Sequence, residues 1–332
     1  MKRKFFSVLL TAAFTAAAVA GCKQNVGTPE DNAVVEETDE DEDQDEETRV
    51  FGFSSTDMSN PFYETIQESV RTTLEEQGDR LIVTDPKSDV NKQISQIRDM
   101  IESGVDAVFL CPADAEKITP ALEALDEAGI PVVNLDIRVS ESDLTEAFIG
   151  SDNTNAGYVC GEDLISRRPD GGRIVIVENP EVSSLNERIT GFEEAIADTG
   201  FEVVTRISVS DDLSGIKAEM DQILQNEDEP IDAVMCGNDR MALQILDSLE
   251  EAGRTDVLVY SVDGSPEIKS ALSDPESPIA GIGAESPISM GKNAARTAEA
   301  ILDREDYEEE ICVETFFINR DNVEMYGTDG WQ

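Results

Sequence analysis

The chain has 332 residues, and its 72 acidic side chains outnumber its 25 basic ones to give a formal net charge of −47. Such an excess of negative charge argues against nucleic acid and anionic membrane surfaces as partners. The chain contains no histidine, which excludes Ser-His-Asp and Cys-His catalysis, HExxH zinc sites and histidine pH switches.

The first element of the chain has the organisation of an export signal. A basic cluster at residues 2–4 precedes an apolar run, Phe5–Ala20, which is shorter than the roughly twenty residues that span a bilayer. The stretch Val-Ala-Gly-Cys that ends at Cys22 looks like a bacterial lipobox. This resemblance implies that residues 1–21 are a lipoprotein signal peptide and that Cys22 carries a lipid. The alternative is an ordinary cleaved signal with an incidental cysteine.

Residues 22–49 form an acidic stretch with almost no large apolar side chains. Such a stretch cannot bury enough apolar surface to fold, and its charges repel one another into an extended coil. We therefore predict a disordered tether between a lipid and a folded domain, with a metal-sequestering acidic tail as the alternative. A bacterial lipoprotein carries two or more acyl chains, which stable anchoring to the cell membrane requires.

From Val50 onward, short β-rich runs alternate with helical patterns. Most of the predicted strands are continuously apolar, as expected for a parallel sheet that is covered on both faces. They are Val50–Phe53, Leu81–Val83, Ala107–Leu110, Val132–Leu135, Ile174–Val177, Val203–Ile207, Ala233–Cys236 and Val257–Tyr260. Repeated βα units predict an α/β doubly wound fold, and the length of the folded part suits two lobes.

Polar side chains follow many of these strands, at the edge of the sheet where ligands of open parallel sheets collect. Carboxylates and amides can hydrogen-bond vicinal hydroxyl groups, and an aromatic face can cover the C–H side of a sugar ring. Each residue also has a structural interpretation, since Asn60 and Asn238 are good helix N-caps and Asp263 before a glycine is a turn signal. Several such residues at one edge favour a binding site.

Other site classes lack their motifs. No GxxxxGK[ST] or GxSxG sequence exists, and the glycines of residues 281–285 lack the third glycine of a dinucleotide loop. Cys111, Cys160, Cys236 and Cys312 show no CxxC spacing, so we favour free thiols over a zinc or redox site. We therefore expect no metal, no cofactor and no catalytic residue.

These patterns resemble those of the periplasmic sugar-binding proteins of the ribose-binding type, the solute receptors of ABC importers. The resemblance covers about Val50 to Asn322. It rests on Asn60-Pro61-Phe62-Tyr63, Gly104-Val105-Asp106-Ala107-Val108, Gly129-Ile130-Pro131-Val132-Val133, Gly150-Ser151-Asp152-Asn153, Glu187-Arg188, Gly191-Phe192, Gly237-Asn238-Asp239, Met241-Ala242-Leu243 and Val262-Asp263-Gly264.

The resemblance implies the type I periplasmic binding protein fold, with two doubly wound parallel-sheet lobes joined by a three-crossover hinge. The expected N-terminal lobe comprises residues 50–151 plus 286–314, and the C-terminal lobe comprises 152–285 plus 315–332. The lobes would close on one ligand, and a monomer is expected.

The resemblance also implies a set of ligand-binding residues. From the first lobe these are Asn60, Phe62, Tyr63, Cys111, Asp136 and Arg138; from the second they are Asn186, Arg188, Asp211, Asn238, Asp263 and Glu285. Arg188 matches an arginine just beyond the usual contact that would brace the site, and Arg138 is offset by one residue from the family's arginine. Glu285 falls where the family often has a glutamine.

Several positions depart from the ribose binders. Cys111 stands where they carry an asparagine, Asp211 where they carry a phenylalanine, and Asn186 where they carry an arginine. The resulting excess of carboxylates would repel anionic ligands such as sugar phosphates. A neutral sugar or polyol is expected, with an amino sugar or other cation as the alternative.

We therefore expect a lipid-anchored extracytoplasmic receptor that delivers a sugar or polyol to an ABC permease. A sensory receptor with a chemotaxis or kinase partner would share these features, and an extracytoplasmic carbohydrate-acting enzyme is a further alternative. A transcriptional regulator of related fold would need a basic helix-turn-helix where the export signal and acidic run lie.

Overall fold

The computed structural model describes residues 48–210, 213–226 and 230–332. The predicted signal peptide, Cys22, nearly all of the predicted tether and Asp211 lie outside these residues, so nothing is said of their structure. Within the described ranges, no helix combines the length and the apolar character needed to cross a membrane.

The first sheet has six strands, and every neighbouring pair in it is parallel. Its order is β2-β1-β3-β4-β5-β11, with β1 at Val50–Ser54, β2 at Arg80–Thr84, β3 at Ala107–Leu110, β4 at Val132–Leu135, β5 at Ala147–Ser151 and β11 at Glu310–Val313. The second sheet has the order β7-β6-β8-β9-β10-β12. Its strands are β6 at Gly172–Glu178, β7 at Phe201–Ser208, β8 at Ala233–Cys236, β9 at Leu258–Asp263, β10 at Ile279–Ala284 and β12 at Phe316–Ile318, of which only β12 runs antiparallel to its neighbour β10.

Helices cover both faces of each sheet. They are α1 (Pro61–Glu75), α2 (Val90–Glu102), α3 (Thr119–Ala128), α4 (Asn153–Arg167), α5 (Ser183–Ile196), α6 (Ile216–Leu224), α7 (Asp239–Ala252), α8 (Pro266–Ser273), α9 (Pro287–Asp303) and α10 (Val323–Tyr326), with a short 3-10 turn at Ser142–Leu144. Apolar side chains of α1 and α9 pack on one face of the first sheet, and those of α2 and α3 pack on the other. In the second sheet, α4 and α5 cover one face while α6, α7 and α8 cover the other.

We call the first sheet and its helices the first lobe, and the second sheet and its helices the second lobe. The chain passes between the two sheets three times, after β5, after β10 and after β11. This topology confirms the predicted α/β fold of two doubly wound lobes with three crossovers.

The cysteines of the described ranges are free. Cys111, Cys160 and Cys236 are buried, and burial raises the pKa of each thiol above its ordinary value. Buried neutral thiols behave as small apolar residues and not as nucleophiles.

Candidate functional site

Residues at the carboxyl ends of strands in both lobes line a cavity of about 120 Å³, which we call the interlobe cavity. Its lining is Thr56, Asp57, Asn60, Phe62, Tyr63, Ser88, Ala113, Asp136 and Ile137 from the first lobe, and Asn179, Val182, Ser184, Leu185, Arg188, Leu213, Asn238, Arg240, Met241 and Asp263 from the second. The cavity therefore lies where ligands of open parallel sheets bind.

The start of α1 supplies the aromatic part of this lining. Asn60 caps the helix by accepting a hydrogen bond from the backbone N–H of Phe62 at 3.1 Å, and Pro61 occupies the first helical position. This capped start directs Phe62 and Tyr63 into the cavity, where their rings meet edge to face with centroids 5.6 Å apart. Asn60 therefore both caps the helix and lines the cavity.

Asp136 follows β4 and is unusual in its backbone conformation, its hydrogen bonding and its pKa. Its φ of 56° is a left-handed conformation that aspartate tolerates better than most residues. The hydroxyl of Tyr63 donates to its Oδ2 at 2.8 Å, while Oδ1 is buried without a hydrogen-bond partner. Burial raises the pKa of Asp136, and the nearby Arg188 and Tyr63 oppose that shift.

Asn134, within β4, holds the loop that presents Asp136. Its amide donates to the carbonyl oxygens of Leu110 at 3.0 Å and Ile137 at 2.9 Å, and its Oδ1 accepts from the backbone N–H of Val139 at 3.0 Å. Asn134 was not predicted from the sequence, although a polar side chain inside an apolar strand is a signal for such a role.

Arg188, on α5, organises the second lobe's side of the cavity. It is 3% exposed, and its guanidinium donates to Asn153 Oδ1 at 2.8 Å, the Gly237 carbonyl at 3.0 Å, Asp263 Oδ1 at 2.8 Å and Glu285 Oε2 at 2.9 Å. Burial lowers its pKa, but the attraction of the surrounding carboxylates outweighs burial and leaves the pKa raised. Arg188 therefore stays charged and holds residues from β8, β9, β10 and α4 together.

Close contact between α4 and α5 fixes the position of the Arg188 backbone. A methyl group on Gly157 would lie 1.7 Å from the carbonyl oxygen of Arg188, and one on Gly191 would lie 1.9 Å from that of Thr154. The two helix backbones are in such close contact that no larger side chain fits at either position. This contact holds the backbone of Arg188 tightly.

The carboxylates around Arg188 do not share one electrostatic environment. Burial raises the pKa of Glu285 to about 8 although Arg188 lies against it, and its Oε1 has no hydrogen-bond partner. Burial also raises the pKa of Asp263, whose φ of 125° is rarely adopted by residues other than glycine. Such strain costs about 1–3 kcal/mol and is concentrated at functional sites.

Asp239, the first residue of α7, lies behind Asp263. It accepts hydrogen bonds from Ser261 Oγ at 2.6 Å and from the backbone N–H groups of Gly264 at 2.9 Å and Ser265 at 2.6 Å. Burial raises its pKa to about 7, with Asp263 adding to the effect. These bonds hold the turn after β9 in the conformation that points Asp263 at Arg188.

Seven of the predicted ligand-binding residues line the cavity: Asn60, Phe62, Tyr63, Asp136, Arg188, Asn238 and Asp263. Asn238 also caps α7 by accepting from the backbone N–H of Met241 at 3.0 Å. Cys111 and Glu285 are buried outside the lining, with the Cys111 thiol against the Tyr63 hydroxyl and Glu285 against Arg188.

Two predicted residues lie away from the cavity. Arg138 pairs with Glu310 at 2.7 Å, its guanidinium carbon lies 3.8 Å from the ring centre of Phe148, and its side chain is 45% exposed. Asn186 is exposed on α5 and does not line the cavity. Asp211 belongs to the residues that the structure does not describe.

Twelve of the nineteen described lining residues were not predicted from the sequence. Asn179 directly follows β6, and Thr56 and Asp57 lie two and three residues after the end of β1, so the same strand-end rule could have found them. The aliphatic residues Leu185 and Leu213 carry no signal that separates a cavity wall from a core position.

The chemistry of the cavity suits binding. The described lining includes three carboxylates and two arginines, and the described residues contain no cluster of three or more potential metal ligands. Carboxylates accept hydrogen bonds, Asn amides both donate and accept, and Phe62 offers an aromatic face. This combination fits a small molecule with several hydroxyl groups.

Comparisons with known proteins agree with this geometry. A family model described as a periplasmic binding protein domain matches residues 51–306. The ribose import binding protein of Bacillus subtilis is 31% identical over 252 residues, covering 76% of this chain and 81% of that protein. The D-ribose/D-allose-binding protein of Pseudomonas aeruginosa is 30% identical over 228 residues, covering 65% of this chain and 71% of that protein.

Solved structures show the same similarity. An ABC transporter solute-binding protein from Mycobacterium smegmatis with bound glycerol has a TM-score of 0.79 and 27% identity, covering 86% of this chain and 100% of that one. One from Bacillus halodurans with bound myo-inositol has a TM-score of 0.78 and 25% identity, covering 85% and 98%. The chain therefore belongs to the periplasmic binding protein family, in the ribose-type group that its sequence motifs predicted.

Proposed function

We propose that the chain is the extracytoplasmic receptor of an ABC importer and captures a neutral sugar or polyol in the interlobe cavity. The observation that carries the proposal is Asp136, whose Oδ1 is buried at the cavity without a partner while Tyr63 fixes Oδ2. A buried acceptor without a partner is costly, and a ligand hydroxyl group would satisfy it.

The charge of the cavity supports a neutral ligand. Asp57, Asp136 and Asp263 line it against Arg188 and Arg240, and the Arg188 guanidinium is already engaged by four protein acceptors. Arg240 is exposed, so among the described lining residues an anionic ligand would find no buried cation that is not already paired, and it would face carboxylates at short range. An amino sugar is the alternative that this charge distribution favours.

The shape of the cavity supports a compact ligand with one less polar side. Phe62 covers one side, whereas Leu185, Leu213 and Met241 form an aliphatic surface from the second lobe. A sugar ring or cyclitol could place its C–H groups against these surfaces and its hydroxyl groups toward Asp136 and Asp263.

The family and the proposed motion of the lobes support a role in transport. A ligand that contacts both lobes stabilises the closed arrangement, because it binds that arrangement better than the open one. The closed form would then deliver the ligand to membrane permease subunits. We further propose that a lipid on Cys22 holds the receptor at the outer face of the cell membrane, on the basis of the sequence around that cysteine.

A thermal-shift screen tests the binding proposal. D-ribose, D-allose, myo-inositol, glycerol, D-glucosamine and D-ribose 5-phosphate would each be added to the purified protein. A neutral compound present at a hundredfold excess over its Kd should stabilise the fold by about 2.7 kcal/mol. D-ribose 5-phosphate should give no shift. A shift with the phosphate alone, or no shift with any neutral compound, would refute the proposal.

A labelling experiment tests the anchor. Cells fed radioactive palmitate should label the wild-type chain but not Cys22→Ser, and the variant should appear in the soluble extracytoplasmic fraction. Equal labelling of both chains would remove Cys22 as the lipid site.

A further inference from the structure

Residues 329–332, which we call the bridging segment, touch both lobes behind the interlobe cavity. The segment follows β12 and α10, which belong to the second lobe because β12 pairs with β10 and α10 packs beside α8. Its contacts nevertheless reach the aromatic side of the first lobe.

A buried lysine attaches the bridging segment to the second lobe. Lys269 on α8 is 0% exposed, and its Nζ donates to the carbonyl oxygen of Gly330 at 2.6 Å. Burial lowers the pKa of Lys269, while Asp239 and Asp329 oppose that shift. Because lysine is almost never fully buried without a partner, the bond from Lys269 to this carbonyl is a specific attachment and not a chance surface contact.

Two further contacts attach the segment near the crossover after β10. The hydroxyl of Ser286, which caps α9, donates to the backbone oxygen of Gln332 at 2.5 Å. A methyl group on Gly264, next to Asp263, would lie 3.5 Å from Gln332 Oε1. The segment therefore lies directly behind the turn that carries Asp263.

Trp331 connects this attachment to the first lobe. Its ring meets that of Phe62 edge to face, with centroids 5.7 Å apart and planes at 70°. Phe62 is 4% exposed and lines the cavity, so it has Trp331 on one side and the cavity on another. The position of the aromatic wall thus depends on a residue that is held by the second lobe.

We propose that Trp331 is a positioning residue for the sugar site: it fixes Phe62 against the ligand and ties the two lobes together through Lys269 and Ser286. The inference rests on the proposed function, because it assigns Phe62 to the ligand. It adds a connection between the lobes besides the three crossovers, and this connection orders the cavity wall before a ligand arrives.

Fluorescence tests the attachment without any ligand, since Trp331 is the single tryptophan of the chain. Acrylamide quenching would be measured for the wild type, Lys269→Met and Phe62→Leu. Both variants should increase the quenching constant: Phe62→Leu removes the ring that packs against Trp331, and Lys269→Met removes the bond that holds the neighbouring Gly330 in place. Unchanged quenching in Lys269→Met would overturn the proposal.

Calorimetry tests the positioning role, with whichever of D-ribose, D-allose, myo-inositol and glycerol stabilises the wild type. Trp331→Ala should weaken binding about two- to tenfold, the value expected for an aromatic pair, and Trp331→Phe should restore most of the loss. Tyr326→Leu is the matched control. The ring of Tyr326 stacks on that of Phe316 in the second lobe, with ring centroids 4.9 Å apart, and Tyr326 does not line the cavity.

The outcomes separate this inference from the proposed function. Unchanged affinity in Trp331→Ala, or an equal loss in Tyr326→Leu, overturns the positioning role. If no compound binds the wild type, the proposed function fails, and the quenching of Lys269→Met still decides whether the segment is attached as described.

Discussion

Replacing Glu285 by glutamine should stabilise the protein at neutral pH, although it removes a buried carboxyl group that lies against Arg188. Glutamine has nearly the same shape, and its Oε1 can accept the hydrogen bond that Arg188 now donates to Glu285 at 2.9 Å. Burial raises the pKa of Glu285 from 4.5 to about 8, which means that the fold disfavours its ionised form despite the arginine. The neutral amide avoids that penalty.

The magnitude follows from the linkage of protonation to unfolding. Below pH 4.5 the carboxyl group is protonated in both the folded and the unfolded chain, so the substitution should change little. As the pH rises, the unfolded chain loses this proton while the folded chain keeps it, and the wild type loses about 1.4 kcal/mol per pH unit. The advantage of Glu285→Gln should reach about 3 kcal/mol at pH 7 and level off near pH 8.

Urea unfolding of the ligand-free protein between pH 5 and pH 8 measures this difference. The control is Glu310→Gln, which removes a carboxylate paired at 2.7 Å with Arg138; the side chains of Glu310 and Arg138 are 64% and 45% exposed. A pair that is open to solvent contributes about 0–1 kcal/mol, so this control should lose a little stability and not gain. A gain for Glu285→Gln that is equal at pH 5 and pH 8, or a loss at pH 7, would contradict the reasoning.

The other predictions concern the walls of the interlobe cavity. Asp136→Ala should weaken sugar binding by about 0.5–3 kcal/mol in calorimetry, because it removes a buried acceptor for a ligand hydroxyl group, and unchanged affinity would take Asp136 out of the site. Gly157→Ala should destabilise the fold by about 1–3 kcal/mol or more in urea unfolding, since the new methyl group would displace the Arg188 backbone. For the same reason it should also weaken sugar binding. The control Glu162→Ala, at an exposed position of the same helix, should change neither stability nor binding. Arg138→Gln should leave sugar affinity unchanged in the same calorimetric assay, because its guanidinium pairs with a surface carboxylate outside the cavity, and a large loss would show that this surface contributes to binding.

Most of the strands that were predicted from the sequence are buried along most of their length and consist of continuous apolar runs, whereas the predicted edge strands β2 and β7 are partly exposed. β10 was missed because two of its six residues are glycines, which drew attention as a candidate dinucleotide loop. The structure gives the reason for them: a methyl group on Gly281 would lie 2.1 Å from the Phe317 ring, and one on Gly283 would lie 2.2 Å from the Ala156 carbonyl oxygen. Such close approach depends on distant residues, and no local pattern encodes it.

The same distinction between local patterns and distant contacts applies to the residues of the candidate site. Asn60 and Asn238 could be predicted because a capped helix after a strand is a local pattern that also positions a side chain at the sheet edge. The network of Arg188 could not, since its acceptors are 35 to 97 residues away in the chain. Likewise, nothing in the sequence near Trp331 indicates that it packs against Phe62.

The order in which the two sheets recruit their strands has a consequence for how the chain acquires its structure. β11, the outermost strand of the first sheet, lies at Glu310–Val313, after every strand of the second sheet except β12. During synthesis from the N-terminus, the first lobe therefore lacks an edge strand and the packing helix α9 until nearly the whole polypeptide has emerged. A nascent chain of this topology stays incompletely folded for most of its elongation, and during that time it exposes apolar surface to which chaperones can bind.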